Sequence, residues 1–418
     1  MSTQIELTYS SDAAMSQPKP HKPVAGTPEF WRTARGMFVG GFGTFSMLYC
    51  LQPLMPQFSD AFGVTPAHAS GVVSAATGTL ALGLIPASLL ADRFGRKPVM
   101  LAAMVLSALL MVACSLATSF NQLLWLRALM GLALAGLPAT GMAYLSEEME
   151  AASLGRIMGM YIAGNALGGM SGRFIAALIV ERFSWRVACA VLGVIAITAA
   201  FEFWRSLPPS RHFQRAQVSL ASIWRDTALH FRDPGLPWLF ATPFLLMGSF
   251  VSVYNYLGYR LAAAPYGLSP GQLGLIFSLY VAGMWSSAAA GRLADKIGRR
   301  NVLWMTVCTM MLGLVLTLAQ ALPVIILGVA LCTLGFFGGH SVASSWVGRR
   351  ALRARALASA IYLCAYYLGS SVLGSVAGLA WSAGHWPGVV ALLAVTQMAC
   401  VAIAFKLRQL EPIPLPTA

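Results

Sequence analysis

Three side chains that carry or can take up charge sit inside apolar stretches: Arg127, Arg173 and His340. A charge in hydrocarbon costs roughly 2.5–3.5 kcal/mol on insertion scales, so such a residue normally faces a cavity or a partner. Histidine, with an ordinary pKa of about 6.5, is the side chain suited to carrying a proton near neutrality. This chemistry is the handling of charge, not the making of bonds. Of the 14 Asp and Glu residues, none falls clearly in the middle of an apolar stretch, and Glu202 lies near the end of one. No HExxH, GxSxG or paired carboxylate is present, so no enzyme is expected. The GxxxxGK[ST] phosphate loop of an ATP-driven pump is also missing. The seven cysteines (Cys50, Cys114, Cys189, Cys308, Cys332, Cys364, Cys400) lie in apolar runs without a CxxC pair. They read as buried hydrophobes and not as disulfides or metal ligands. No cofactor or metal is expected.

A second constellation is a duplicated loop. Residues 88–97 read SLLADRFGRK, and residues 291–300 read GRLADKIGRR, with Asp92 and Asp295 203 positions apart, about half the chain. Gly95 and Gly298 allow a tight turn between two helices. Asp92 and Asp295 can bond free backbone donors or pair with an arginine, with Arg93, Arg96 and Arg299 close by. The basic residues suit an anionic membrane surface. Two copies in matching places predict two homologous halves, the parallel-repeat architecture of alternating-access carriers.

The elements that position these residues follow from composition. Hydrophobic residues make up 57% of the 418 and charged ones 10%, where a soluble domain has about 25% charged. A soluble or disordered chain is excluded. Apolar runs long enough to cross about 30 Å of hydrocarbon fall near 36–58, 70–91, 98–118, 121–145, 156–179 and 186–206. Six more follow near 237–260, 272–292, 301–321, 323–347, 356–381 and 386–407. The expected fold is an all-α membrane protein with 12 transmembrane helices in two pseudo-symmetric six-helix bundles, 36–206 and 237–407. Around them lie an N-terminal tail (1–35), a linker (207–236) with a short surface helix bearing Trp224, Leu229 and Phe231, and a tail (408–418). A net charge of +14 would suggest nucleic acid in a soluble chain, but no basic patch here has a soluble domain behind it. If both termini are cytoplasmic, that side holds 23 of the 28 Lys and Arg, as the positive-inside rule requires.

Over residues 36–407 the sequence resembles the major facilitator superfamily, and both duplicated loops look like its motif A. The first departs from it in having Ser88 for the leading glycine. The resemblance implies a cytoplasmic gate in which Asp92 and Arg96 join Glu147 and Glu148 (YLSEEME) and the second half of the bundle. That network would hold the outward-facing state and break when the carrier opens inward. LRALMG around Arg127 is similar to motif B of proton-driven efflux carriers, which implies a coupling role; the alternative is an arginine snorkelling to the outer interface. GNALGGMSGR (164–173) sits where antiporters carry motif C, with Gly168-Gly169 for the usual Gly-Pro and Arg173 for a small residue. Arg173 is either a substrate or coupling charge or a structural pair. Stretches in the first, seventh and tenth spans look most like the YnfM-type branch of bacterial efflux permeases, grouped with drug and sugar exporters.

In that fold spans 1, 4, 7 and 10 would line the central cavity, with Tyr49, Gln52, Tyr254, Asn255, Tyr256, His340 and Ser344, joined from span 11 by Tyr362, Tyr366 and Tyr367. Aromatic walls with few polar groups suit small amphipathic molecules, although a tyrosine alone is more often packing. His340 either titrates or donates to a helix carbonyl; Glu147 or Asp92 could titrate in its place. The reading is a monomeric secondary carrier of a bacterial inner membrane that exports a small molecule against protons. Proton-coupled or facilitated uptake is the alternative.

Overall fold

The computed structural model describes residues 21–213 and 220–410, so the outer parts of both expected tails and linker residues 214–219 lie outside it. Among the described residues every regular element is a helix. The first span differs from its expected single run over 36–58. Helix α1 (Pro28–Tyr49) begins earlier, because the Thr27 side chain accepts from the Phe30 N–H and Pro28 occupies the first turn. Residues 28–35 therefore belong to the helix and not to a tail. The chain then breaks into a 3₁₀ turn (Gln52–Leu54) and resumes as α2 (Met55–Phe62). Pro53 and Pro56 carry no N–H, so the ladder of an unbroken helix cannot form across them.

The order continues with α3 (Pro66–Phe94), α4 (Arg96–Ser115), α5 (Phe120–Glu148), α6 (Ala151–Val180) and α7 (Trp185–Ser206). An amphipathic helix α8 (Leu220–Arg232) follows, as expected of the linker, with Trp224, Leu229 and Phe231 exposed. The second half holds α9 (Leu236–Ala262), α10 (Pro270–Ile297), α11 (Arg299–Leu316), α12 (Leu322–Arg350) and α13 (Arg355–Arg408). Nine helices are long and apolar enough to cross a membrane among the described residues. One of them, α13, runs for 54 residues and is interrupted by non-helical Gly384 and His385, so it holds the expected eleventh and twelfth spans. The broken α1–α2 and the short α11, which opens on Arg299-Arg300-Asn301, complete the series of twelve when they are counted as crossings.

Both duplicated loops turn as their glycines allow, Gly95 at φ 96° and Gly298 at φ 89°. They lie on one face of the molecule, the motif face. The turns at Gly63 and at residues 181–184, 263–269 and 384–385 lie on the opposite face.

Helix α6 packs on α1 through the four-residue glycine repeat. A Cβ on Gly164, Gly168 or Gly172 would stand 2.4, 2.2 and 2.5 Å from the carbonyl oxygens of Phe38, Phe42 and Ser46. The backbones touch at three successive turns, and Ser46 Oγ donates to the Gly168 carbonyl at 3.0 Å. Helix α9 meets α13 in the same way, with Gly369 against the Phe244 carbonyl.

Candidate substrate site and gate

The break in the first span decides what Arg127 does. A helix end leaves carbonyls without partners. Arg127 on α5, fully buried, supplies them: Nη1 donates to Met47 O at 2.8 Å, Nη2 to Leu48 O, and Nε to Val72 O of α3 at 2.8 Å. Its guanidinium is bound to main chain, with no carboxylate partner among the described residues, and it does not snorkel.

Arg173 on α6 is equally buried but differently served. Nε donates to Gln52 Oε1 at 2.6 Å and Nη1 to Gly169 O. Gln52, in the break, donates through Nε2 to Asn255 Oδ1 at 2.7 Å and Val251 O at 3.2 Å on α9. The guanidinium carbon lies 4.4 Å from the Tyr49 ring centre, 5.2 Å from Tyr280 and 5.4 Å from Phe277. One cation is thus enclosed by three rings from both halves. Sequence reasoning put Tyr49, Gln52 and Asn255 in the cavity and left Arg173 outside it; the structure brings the four together. Tyr254 stands beside them, stacked on Phe277 at 5.1 Å and bonded to Thr333 Oγ1 at 2.9 Å. Tyr280 and Phe277 were missed, because span 8 was not among the expected cavity helices.

His340 belongs to a second cluster. Its Nδ1 is 3.0 Å from Tyr362 Oη, and the Tyr366 ring lies tilted with its centre 4.9 Å away. Ser344 turns back to the Ser341 carbonyl at 3.1 Å, so its hydroxyl is occupied within α12.

On the motif face, Arg96 pairs with Asp92 at 2.8 Å and Glu147 at 2.9 Å. Its guanidinium is buried, and the two carboxylates compensate the charge it carries. Glu148 departs from the expected network. One residue round the helix, it accepts from the His212 backbone N–H at 2.8 Å and pairs with His212 Nδ1 at 3.0 Å. It therefore straps the linker and not Arg96. Arg93 lies over Phe94. In the second half Arg299 pairs with Asp295 at 3.1 Å, while Arg349 lies 3.9 Å from Asp295. The linker's far end is held by Arg350 on Asp233, a pair that sequence reasoning missed.

The hydrogen bonds between the two halves lie at mid-depth or toward the opposite face. Ser59 meets Tyr259 at 2.8 Å, Glu181 accepts from the Gly271 N–H, Ser371 donates to Ser74 O, and Cys364 to Ala81 O. The crevice above Gln52, Asn255 and Phe277 holds about 20 Å³, room for about one water. From Ala81 to the motif-face end of α3 is roughly 20 Å of helix with no such bond among the described residues.

The Asp92–Arg96–Glu147 cluster is intact, and its three members share one half.

The family model of the Major Facilitator Superfamily matches residues 37–261 and again 257–418, once on each half. The chain belongs to the major facilitator superfamily. It is 45% identical to the uncharacterized MFS-type transporter YybF of Bacillus subtilis, covering 90% of this chain and 93% of that one. It is 43% identical to the inner membrane transport protein YnfM of Escherichia coli, covering 92% of each, which bears out the resemblance to that branch. The solved structure of the nucleoside transporter NupG, in a mutant form, shares the fold with a TM-score of 0.75 at 14% identity, covering 91% of this chain and 99% of that one. This facilitator is a multi-pass membrane protein and a membrane transporter.

Proposed function

We propose that the chain is a secondary carrier that moves a small organic molecule across a bacterial inner membrane by alternating access, exporting it against protons. The moving units are the halves 28–206 and 236–408, and a monomer suffices because one chain contains both halves and the cavity between them. The motif face is cytoplasmic with both termini, since it gathers most of the Lys and Arg. The observation that carries the reading is the one-sided hydrogen bonding of the halves, which are bonded toward the opposite face and, among the described residues, share no hydrogen bond for roughly 20 Å beneath the motif face. That is what an inward-open carrier requires.

His340 is the group best suited to exchange the proton. Facilitated flux is the second reading, favoured by the lack of any Asp or Glu in mid-span. Proteoliposomes holding a pH-sensitive dye, given dyes, sugars and organic acids in turn, distinguish the two. Proton movement triggered by a cargo and lost in His340→Ala supports antiport. Cargo flux with a silent dye, unchanged in His340→Ala, refutes it.

A further inference from the structure

Resting on the carrier reading above, we infer that Arg173 is the receptor of a carboxylate on the cargo, with Tyr49 and Tyr280 completing the site and the aromatic wall holding a ring. Arg173 has five N–H donors, and the bonds to Gln52 and Gly169 use two. The remaining three have no acceptor among the described residues. No carboxylate pairs with Arg173 there, so a cation only 2% exposed lacks a counter-ion. Burying an unpaired charge is costly, and a bound anion would relieve that cost.

One neighbouring group is unfilled in a matching way. The hydroxyl of Tyr280, whose ring flanks the guanidinium, is buried without a hydrogen-bond partner, while that of Tyr49, on the other flank, meets Ser370. A carboxylate accepts from both kinds of donor at once, whereas an amine or a neutral sugar hydroxyl gives the guanidinium no compensating charge. Around it stand Phe277, Tyr254, Phe250 and Phe336, the last two stacked at 3.9 Å. Those surroundings favour a flat or alicyclic body over an extended polar one.

The contrast with Arg127 sharpens the assignment. Both arginines are buried in the same half, but Arg127 spends its donors on three carbonyls. Arg173 also lies between halves, with Tyr49 from one and Tyr280 and Phe277 from the other. An anion seated there touches both moving units.

The test uses purified full-length protein in nanodiscs, with binding of benzoate, cyclohexanecarboxylate and 3-phenylpropionate measured by calorimetry against their amides. At least one acid should bind while its amide does not. Arg173→Gln should weaken that acid by about 30-fold or more, Arg173→Lys by less, and Tyr280→Phe by about tenfold. If Arg173→Gln fails to fold, Tyr280→Phe still decides, since it removes one hydroxyl and keeps the ring. No binding by any acid, equal binding of acid and amide, or acid binding unchanged in these variants overturns the assignment. Flux in proteoliposomes separates the two claims. An acid that binds through Arg173 yet is not moved sinks the carrier reading and leaves the site, and flux of neutral solutes alone does the reverse.

Discussion

Arg173 Nε donates to Gln52 Oε1 at 2.6 Å, and Gln52 in turn donates to Asn255 at 2.7 Å, so one chain of side chains joins α6, the break in the first span and α9. This relay couples the buried cation to the junction between the halves. The broken helix makes it possible, because an unbroken one would carry Gln52 elsewhere.

Arg127 fills the carbonyls that the break exposes. Arg127→Met is expected to destabilise the protein by about 3 kcal/mol or more, since several buried acceptors lose their donor. Arg127→Lys should recover only part, a single ammonium being unable to fork to three carbonyls. Thermal melts in nanodiscs check this; a Met variant as stable as the parent would contradict it.

The two arginines also show how far the sequence could be read. Each lies in an apolar run with similar neighbours, and neither periodicity nor spacing separates them. The difference arises from where the first span breaks, which depends on Pro53, Pro56 and a tertiary partner together. The duplicated loops were legible because Asp92, Gly95 and Arg96 act within a few residues of one another. Glu147 and Glu148 were read as a unit, yet neighbours on a helix point about 100° apart. One therefore reaches Arg96 and the other His212. Tyr280 escaped because span 8 was not among the spans expected to line the cavity.

A double-mutant cycle makes that distinction measurable. Arg96→Ala with Glu147→Ala should show a coupling of about 1–2 kcal/mol in nanodisc melts, and Arg96→Ala with Glu148→Ala close to none. Equal couplings would mean that both acids serve Arg96.

The glycine repeat predicts opposite outcomes for one substitution. Gly168→Ala drives a methyl to 2.2 Å from the Phe42 carbonyl and should cost about 1–3 kcal/mol or more. Gly159→Ala, on the same helix with nothing within 4 Å, should stabilise by about 0.4–1 kcal/mol. Similar melts for the two would refute the α1–α6 contact.

Asp233 anchors the linker, and its titration has a definite sign. Burial pushes its carboxyl up, but Arg350 and the N–H groups of Gly235 and Leu236 outweigh that and hold it below the usual range. Its contribution is therefore complete above the unfolded value of about 4 and lost as pH falls through the lower folded value. The melting difference between the parent and Asp233→Asn should be equal at pH 7 and 6 and shrink below about pH 4. A difference that grows on acidification would contradict the pairing.

Alternating access itself is tested most directly by distances across both faces at once. In a cysteine-free background, spin labels at Ala152 and Leu352 report the motif face, and labels at Ala61 and Ala263 the opposite face. The account predicts two populations on each face whose weights shift in opposite senses between pH 8 and pH 5, or when a bound organic acid is added. A motif face and an opposite face that each hold one distance under all these conditions, or that widen and narrow together, would contradict it.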